Sequence, residues 1–305
     1  MPADTPNPVT FAPITTERLL IRPPKHSDLD ALFTRRNHPE VAALQSWSLP
    51  YDRSRAEGLI EAVCAMSGPG DGEWWMLTIE SSVTGDIVGD LALHQSWEGR
   101  SMEIGYTLDR TWWGRGLATE AVRALLGRLF DSDRLARAHA MLHPDNIASA
   151  RVLEHNGFRY EGRTRSSYWV GEVNTDDVLY GLTRSDWERW SERPTTPPTS
   201  VELVALEAHD IDALLEIETH WTDERAGGGI DAVLADIARS AIGGQVATAG
   251  SSTAGGSTLR PRGIVADGEL VGLFIEPTAS SPAPRLIIDR LHRGRGIEAR
   301  VSAAA

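Results

Sequence analysis

Two stretches of this 305-residue chain combine residue types and spacing suited to holding phosphate: "TWWGRGLATEA" at 111–121 and "RGRGIEARV" at 293–301. In each, an arginine sits between two glycines, and an aliphatic residue then opens a helical pattern. Gly114 and Gly116 permit a tight turn with no Cβ to obstruct a ligand. The helix that follows starts with N–H groups that have no partner inside it, and these favour anions. With Arg115 beside them, they form a reasonable cradle for a pyrophosphate. The same spelling would also serve a plain strand-to-helix turn. Just upstream, "MEIGYTLDR" carries Glu103 on a strand that runs into the loop. A carboxylate there can take a proton from a reacting group, or face solvent and pair with an arginine.

The surrounding segments alternate in period. "RLLIRP" (18–23), "EWWMLTIE" (73–80), "DIVGDLALH" (86–94) and "SMEIGYTL" (101–108) read as strands. "SDLDALFTRR", with Ser27 as N-cap, and "DRSRAEGLIEAVCAM" read as helices between the first two strands. "LATEAVRALLGRLF" repeats apolar residues at helical spacing, and "LARAHAMLH" is a further strand. "NIASARVLEHNG" is a short helix ended by Gly157, and "FRYEGRTRSSYWV" and "TDDVLYGLT" are a closing pair of strands. This order predicts an α/β protein of the α+β kind with a mixed, mostly antiparallel central sheet, because its second to fourth strands follow one another through short turns.

Taken together, the strand with Glu103, the loop from Trp113 to Ala118, the "TEA" after it, the Asn146-x-x-Ser149 pair and the "NGF" ending resemble the GNAT superfamily of acetyl-CoA-dependent N-acetyltransferases, and within it the RimJ/RimL type. The resemblance spans roughly residues 16–187. Trp113 stands where the family pattern has Gln or Arg, a departure that this type commonly shows. The resemblance implies acetyl-CoA as cofactor, with contacts from Ile104, Tyr106, Leu108, Trp113, Gly114, Arg115, Gly116, Leu117, Ala118, Thr119 and Asn146. It implies Glu103 as the base that takes a proton from an amine, directly or through water, and Ser149 as the hydrogen-bond donor to the departing thiolate. The tyrosine that many members use for that second task is absent, because its position is Leu153. Substrate contacts are expected from Trp75, Trp97 and Trp169, among aromatics that otherwise build core or cleft wall.

Composition narrows the partners. A net charge of −13 and a pI near 5.2 argue against nucleic acid, and fit an amine-bearing small molecule or a protein N-terminus. One cysteine, Cys64, excludes an internal disulfide, and no His/Cys cluster has metal-ligand spacing, so no metal site is expected. No apolar run is long enough to span a membrane and no leader is evident, which predicts a cytoplasmic protein without a membrane partner. The oligomeric state stays open, a homodimer included. The competing reading, from another class, is an acyl-CoA-binding regulatory module with little turnover.

"SERPTTPPTS" (191–200) reads as a linker between residues 1–190 and 201–305. The second part echoes the first: "HSDLDALF" with "AHDIDALL" (208–215), "GDIVGDLAL" with "GELVGLFIE" (268–276), and the two Gly-Arg-Gly loops, in the same order at offsets of about 180 residues. This predicts a partial, degenerate GNAT-like region. It holds no counterpart of Asn146 or Ser149 and has Glu298 in place of Ala118, a charge that would repel phosphate, so it is expected to bind no acetyl-CoA by itself. A low-complexity run at 247–258 is expected to be a mobile loop.

Overall fold

The structure is a computed structural model that describes residues 11–206, 261–275 and 284–304. The chain divides into two compact units, Met1–Glu188 and Arg189–Ala305.

The first unit is built on an eight-stranded sheet of β1 (Ile14–Thr15), β2 (Leu19–Arg22), β3 (Trp74–Ser81), β4 (Ile87–Ser96), β5 (Ser101–Leu108), β6 (Arg137–Leu142), β7 (Arg159–Val170) and β8 (Val173–Thr183), in the order β1-β2-β3-β4-β5-β6-β8-β7. Every pairing is antiparallel except β5 with β6. Between β2 and β3 lie α1 (Leu29–Arg36), α2 (Pro39–Ala42) and α3 (Arg53–Cys64). α4 (Leu117–Phe130) connects β5 to β6, α5 (Ile147–Glu154) connects β6 to β7, and α6 (Arg184–Glu192) follows β8. α1 packs with α3 and against β4, whereas α4 packs with α5 and against β5.

Alternation decides which strand residues meet those helices. Met102, Ile104 and Leu108 of β5 and Ala138, Ala140 and Leu142 of β6 are buried, and on α4 the buried stripe is Leu117, Ala121, Val122, Leu125, Leu126 and Phe130. The opposite register of β5 is Glu103, Gly105 and Thr107, level with His94, Ala92 and Asp90 of β4. That second face is only partly covered along Glu103, Gly105 and Ala92.

One helix start differs from expectation. Ser27 lies inside a 3-10 turn, His26–Asp28, rather than capping α1. Asp28 does the local work: it accepts from the Lys25 N–H at 2.9 Å, from Thr78 Oγ1 at 2.7 Å and from Arg22 at 2.8 and 2.9 Å. Burial alone would raise its pKa, yet the bonds from Arg22, Lys25 and Thr78 hold it below the ordinary value.

The second unit carries a four-stranded antiparallel sheet of β9 (Val201–Ala205), β10 (Pro261–Ala266), β11 (Glu269–Ile275) and β12 (Arg285–Ile288), in the order β12-β11-β10-β9, and then α7 (Ile297–Ala304). Its core gathers Ile264, Ala266, Val271, Phe274, Ile288, Ile297 and Val301. The expected repeat element at 208–215 and the low-complexity run at 247–258 lie outside the described residues. Among the described residues, no helix is long and apolar enough to cross a membrane.

Candidate active site

β5 and β6 pair over only three positions, Ser101 with Arg137, Met102 with Ala138 and Glu103 with His139. Beyond Glu103 the two strands part, and the rest of β5 leads into the Gly-Arg-Gly loop. A gap between two parallel strands offers unpaired backbone groups to an extended polar ligand, as the arm of coenzyme A would require.

At the far end of β5, Asp109 caps a 3-10 turn by accepting from Thr111 N at 2.9 Å. Trp113 Nε1 donates to Leu108 O at 2.9 Å and fixes the exit of the strand. Gly114 and Gly116 follow at φ 72° and 73°, a region that side chains rarely adopt. Gly114 has open space where a Cβ would stand. The exposed Arg115 stacks its guanidinium over Trp112 at 4.9 Å, and α4 begins at Leu117 with Ala118 and Thr119 in its first turn.

The loop is propped from the β1–β2 turn by a residue that the sequence pattern did not single out. Arg18 Nη1 donates to Arg115 O at 2.9 Å, and Arg18 Nε donates to Glu120 Oε2 at 2.6 Å. Glu120 also accepts from Thr16 Oγ1 at 2.6 Å and from Arg18 N at 3.0 Å. Partial burial pushes the Glu120 carboxyl up, but the bonds from Thr16 and Arg18 outweigh it and hold the pKa low. The carboxylate next to the anion cradle is therefore neutralised locally. The cradle, with its positive-φ glycines, exposed arginine and free helix start, fits a pyrophosphate.

On the face of β5 that meets the helices, Tyr106 Oη donates to Ser149 O at 2.8 Å, which ties the parted strand to α5, and burial raises the Tyr106 phenol. Asn146 caps α5, with its Oδ1 accepting from Ser149 N at 3.2 Å. The Ser149 backbone is thus fully engaged, and its Oγ has no hydrogen-bond partner among the described residues. Gly157, at φ 86°, ends the helix in a Schellman-type turn in which Phe158 N donates to Leu153 O at 3.1 Å. Asn156 of the "NGF" run bonds Thr119 O at 3.3 Å, tying the end of α5 to the start of α4. Leu153 is fully buried.

On the opposite face, Glu103 stands level with His94 on β4 and His139 on β6. His139 Nε2 lies 3.8 Å from Glu103 Oε2. Burial raises the Glu103 carboxyl, the nearby His94 opposes this, and Asp177 adds to it. Asp177, on β8, is buried, with Oδ2 accepting from Ser167 Oγ at 3.3 Å and Oδ1 lacking a partner among the described residues. Burial raises Asp177 as well. Tyr168 of β7 feels both carboxylates and bonds Ser46.

Of the expected substrate tryptophans, Trp75 is corrected. It is 1% exposed, and its Nε1 donates to Val63 O at 3.1 Å, so it is core. Its neighbour Trp74 is on the opposite face, paired with His94 in register, with the two rings tilted at 35° and 5.0 Å apart between centroids. Trp97 is exposed in the β4–β5 turn and Trp169 is exposed on β7. The sequence did not single out His139, His94 or Asp177 because their signal is strand register, nor Arg18 because its partners lie about a hundred residues away.

The Acetyltransferase (GNAT) domain family matches residues 18–159. The uncharacterized N-acetyltransferase p20 of Bacillus licheniformis is 31% identical over 173 residues, covering 56% of this chain and 96% of that protein. The Escherichia coli alanine N-acetyltransferase of ribosomal protein uS5 is 31% identical over 84 residues, covering 28% of this chain and 43% of that protein. Among solved structures, a GNAT acetyltransferase from Bacillus anthracis has a TM-score of 0.52 at 22% identity, covering 57% of this chain and 99% of that one. The ribosomal L7/L12 α-N-acetyltransferase RimL, solved with coenzyme A, gives 0.51 at 19%, covering 56% and 98%. At those identities the structural likeness concerns the fold, whereas the p20 match runs through nearly all of that relative. The chain belongs to the GNAT family and is an acetyl-CoA-dependent N-acetyltransferase.

Proposed function

We propose that this enzyme acetylates a cationic primary amine by direct attack, with Glu103 as the base. The observation that carries the reading is the setting of Glu103: a half-buried carboxylate with a raised pKa, on the open face of the sheet at the point where β5 and β6 part. Acetyl-CoA supplies an acetyl thioester. On this reading the loop from Trp113 to Thr119 holds its pyrophosphate, with Ile104, Tyr106, Leu108 and Asn146 along the arm, and Ser149 Oγ offers a hydrogen bond on the sulfur side.

The amine must lose a proton to become nucleophilic, and a base raised toward neutrality does this at physiological pH. Because Glu103 must be ionised to act, activity falls as the pH drops through its raised pKa. Two carboxylates on the proposed acceptor side, the half-buried Glu103 and the buried Asp177, favour a cationic acceptor. Both a protein α-amine and a small-molecule amine, such as an aminoglycoside or amino-acid derivative, meet that requirement. The uS5 and RimL relatives support the first, and a solved spermidine N-acetyltransferase of the same fold supports the second.

The test is release of free thiol from acetyl-CoA over a panel of amines and N-terminal peptides. Glu103→Gln should lower kcat/KM by about 10²- to 10⁴-fold while coenzyme A affinity holds. An unchanged rate overturns the assignment. Leu153 in place of the usual tyrosine favours a second reading, binding with little turnover, and coenzyme A binding without thiol release on every acceptor would establish it.

We further propose that residues 201–305 are a partial GNAT-like copy without a cofactor of its own. Support comes from the matched order of strands, glycines and loop in the two units, and from the buried Arg295, whose guanidinium bonds Thr196 O, His292 and Asp267.

A further inference from the structure

Glu103 is bracketed. In register it is the Cα partner of His94 on β4 and of His139 on β6, so that three ionisable side chains stand level across three adjacent strands. The two imidazoles are not equivalent. His94 packs against the exposed ring of Trp74, with the ring centroids 5.0 Å apart and the planes tilted by 35°. His139 instead turns Nε2 toward Glu103 Oε2 at 3.8 Å, with its Nδ1 3.4 Å from Ser101 Oγ. The Ser101 hydroxyl can donate to Nδ1 or accept from it, so His139 can hold either tautomer, and Nε2 faces the carboxylate as the atom through which a proton would pass.

A base buried behind its own substrate must discard a proton every turnover. The Glu103 side chain retains 18% of its surface, and His139 keeps 25% at the last paired residue before the strands part. We propose that His139 is a positioning residue that carries the acceptor's proton from Glu103 to solvent, an inference that rests on Glu103 being the base. The balance is simple. The amine N–H bond breaks and its proton goes to a Glu103 oxygen, the Glu103 O–H passes it to His139 Nε2, and the resulting imidazolium loses one proton to bulk water. The 3.8 Å separation needs a small rotamer shift or one bridging water to become a transfer distance.

The surrounding charges suit the exchange. Around Glu103 stand His94, Asp177 and Tyr168, and around His139 stand Arg137, Glu161 and His94. Burial raises the carboxyl, while burial and then Arg137 lower the imidazole against the pull of Glu161. The two proton affinities, separated by about two units in water, are thus drawn together, which speeds transfer in both directions.

The experiment measures kcat for the best amine acceptor with His139→Ala, His139→Gln, His94→Ala and Glu103→Gln in the full-length chain, with and without added imidazole. Both His139 variants should lose kcat by about tenfold or more at unchanged coenzyme A affinity. Imidazole should restore a good part of the loss in His139→Ala and nothing in Glu103→Gln. Full activity of either His139 variant, or a loss that imidazole leaves untouched while coenzyme A still binds, overturns the relay. An active Glu103→Gln instead removes the base assignment itself. Rescue of His94→Ala alone would move the role to the other histidine and equally refute the proposal.

Discussion

The two Gly-Arg-Gly loops share their geometry almost bond for bond and differ in what their arginines do. In the first unit, Asp109 N donates to Val88 O at 2.8 Å, Trp112 N donates to Asp109 O at 3.0 Å, and Gly114 and Gly116 take φ 72° and 73°. In the second, Asp289 N donates to Val271 O at 2.8 Å, His292 N donates to Asp289 O at 3.0 Å, and Gly294 and Gly296 take φ 78° and 75°. Even the close strand approach recurs: a Cβ on Gly89 would stand 2.2 Å from Thr107 O, and one on Gly272 2.2 Å from Ile287 O.

Arg115, however, is exposed over an indole, whereas Arg295 is buried and spends its donors on Thr196 O at 2.9 Å, His292 Nδ1 at 2.8 Å and Asp267 Oδ2 at 3.1 Å. Glu298 then places an acid in the first turn of α7. In the first loop the acid of that turn, Glu120, is paired with the Arg18 guanidinium and accepts a hydrogen bond from Thr16. A shared backbone therefore does not make a shared site, because anion affinity depends on which charges remain free.

Valine substitution of the positive-φ glycines should give the sharpest contrast. Gly116→Val forces a β-branched residue into φ 73°, at a cost of about 1–3 kcal/mol, and fills the cradle, so coenzyme A affinity should fall by on the order of 100-fold. Gly296→Val carries the same strain at φ 75° and should leave coenzyme A affinity unchanged while loosening its own unit. Calorimetry on both variants measures the pair, and equal losses would dissolve the distinction.

Arg18→Ala comes next. It removes the charged donor to Arg115 O and unmasks Glu120 beside the cradle, so coenzyme A binding should weaken roughly tenfold, less at high salt. Titrations at two salt concentrations test this, and an unchanged affinity would show that the prop is dispensable.

The smallest effect concerns the second loop's own anchor. Hydrogen bonds from Thr199, Ser200 and Arg295 hold Asp267 down at about 2. A carboxyl lowered in the folded state stabilises above its unfolded pKa, near 3.8, and loses that contribution as the pH falls toward 2. Amide exchange in β10 and β11 should accelerate over that window, and Asp267→Asn should flatten the dependence without altering coenzyme A affinity. An unchanged pH dependence in Asp267→Asn would remove Asp267 as the anchor.

Much of the scaffold was legible in the sequence because its signals are local. β5, α4 and α5 announced themselves through alternation, helical spacing and the glycines at 116 and 157, and the cradle is contiguous from Trp113 to Thr119. What was not legible depends on register and on long-range pairing. Trp74 and Trp75 are adjacent in sequence and point to opposite faces, so only the pairing of Trp74 with His94 shows which one shares the face of Glu103. His139 and Glu103 are 36 residues apart, and Arg18 reaches Arg115 across 97. Asp177 lies in a strand placed between β6 and β7, an insertion that no local pattern dictates.

Binding stoichiometry tests the central claim most directly. Isothermal titration of coenzyme A into the full-length chain should give one equivalent per chain, weakened about 100-fold by Gly116→Val and untouched by Gly296→Val. Two equivalents, or a single one that survives Gly116→Val and disappears with Gly296→Val, would contradict the assignment of the cofactor to the first loop.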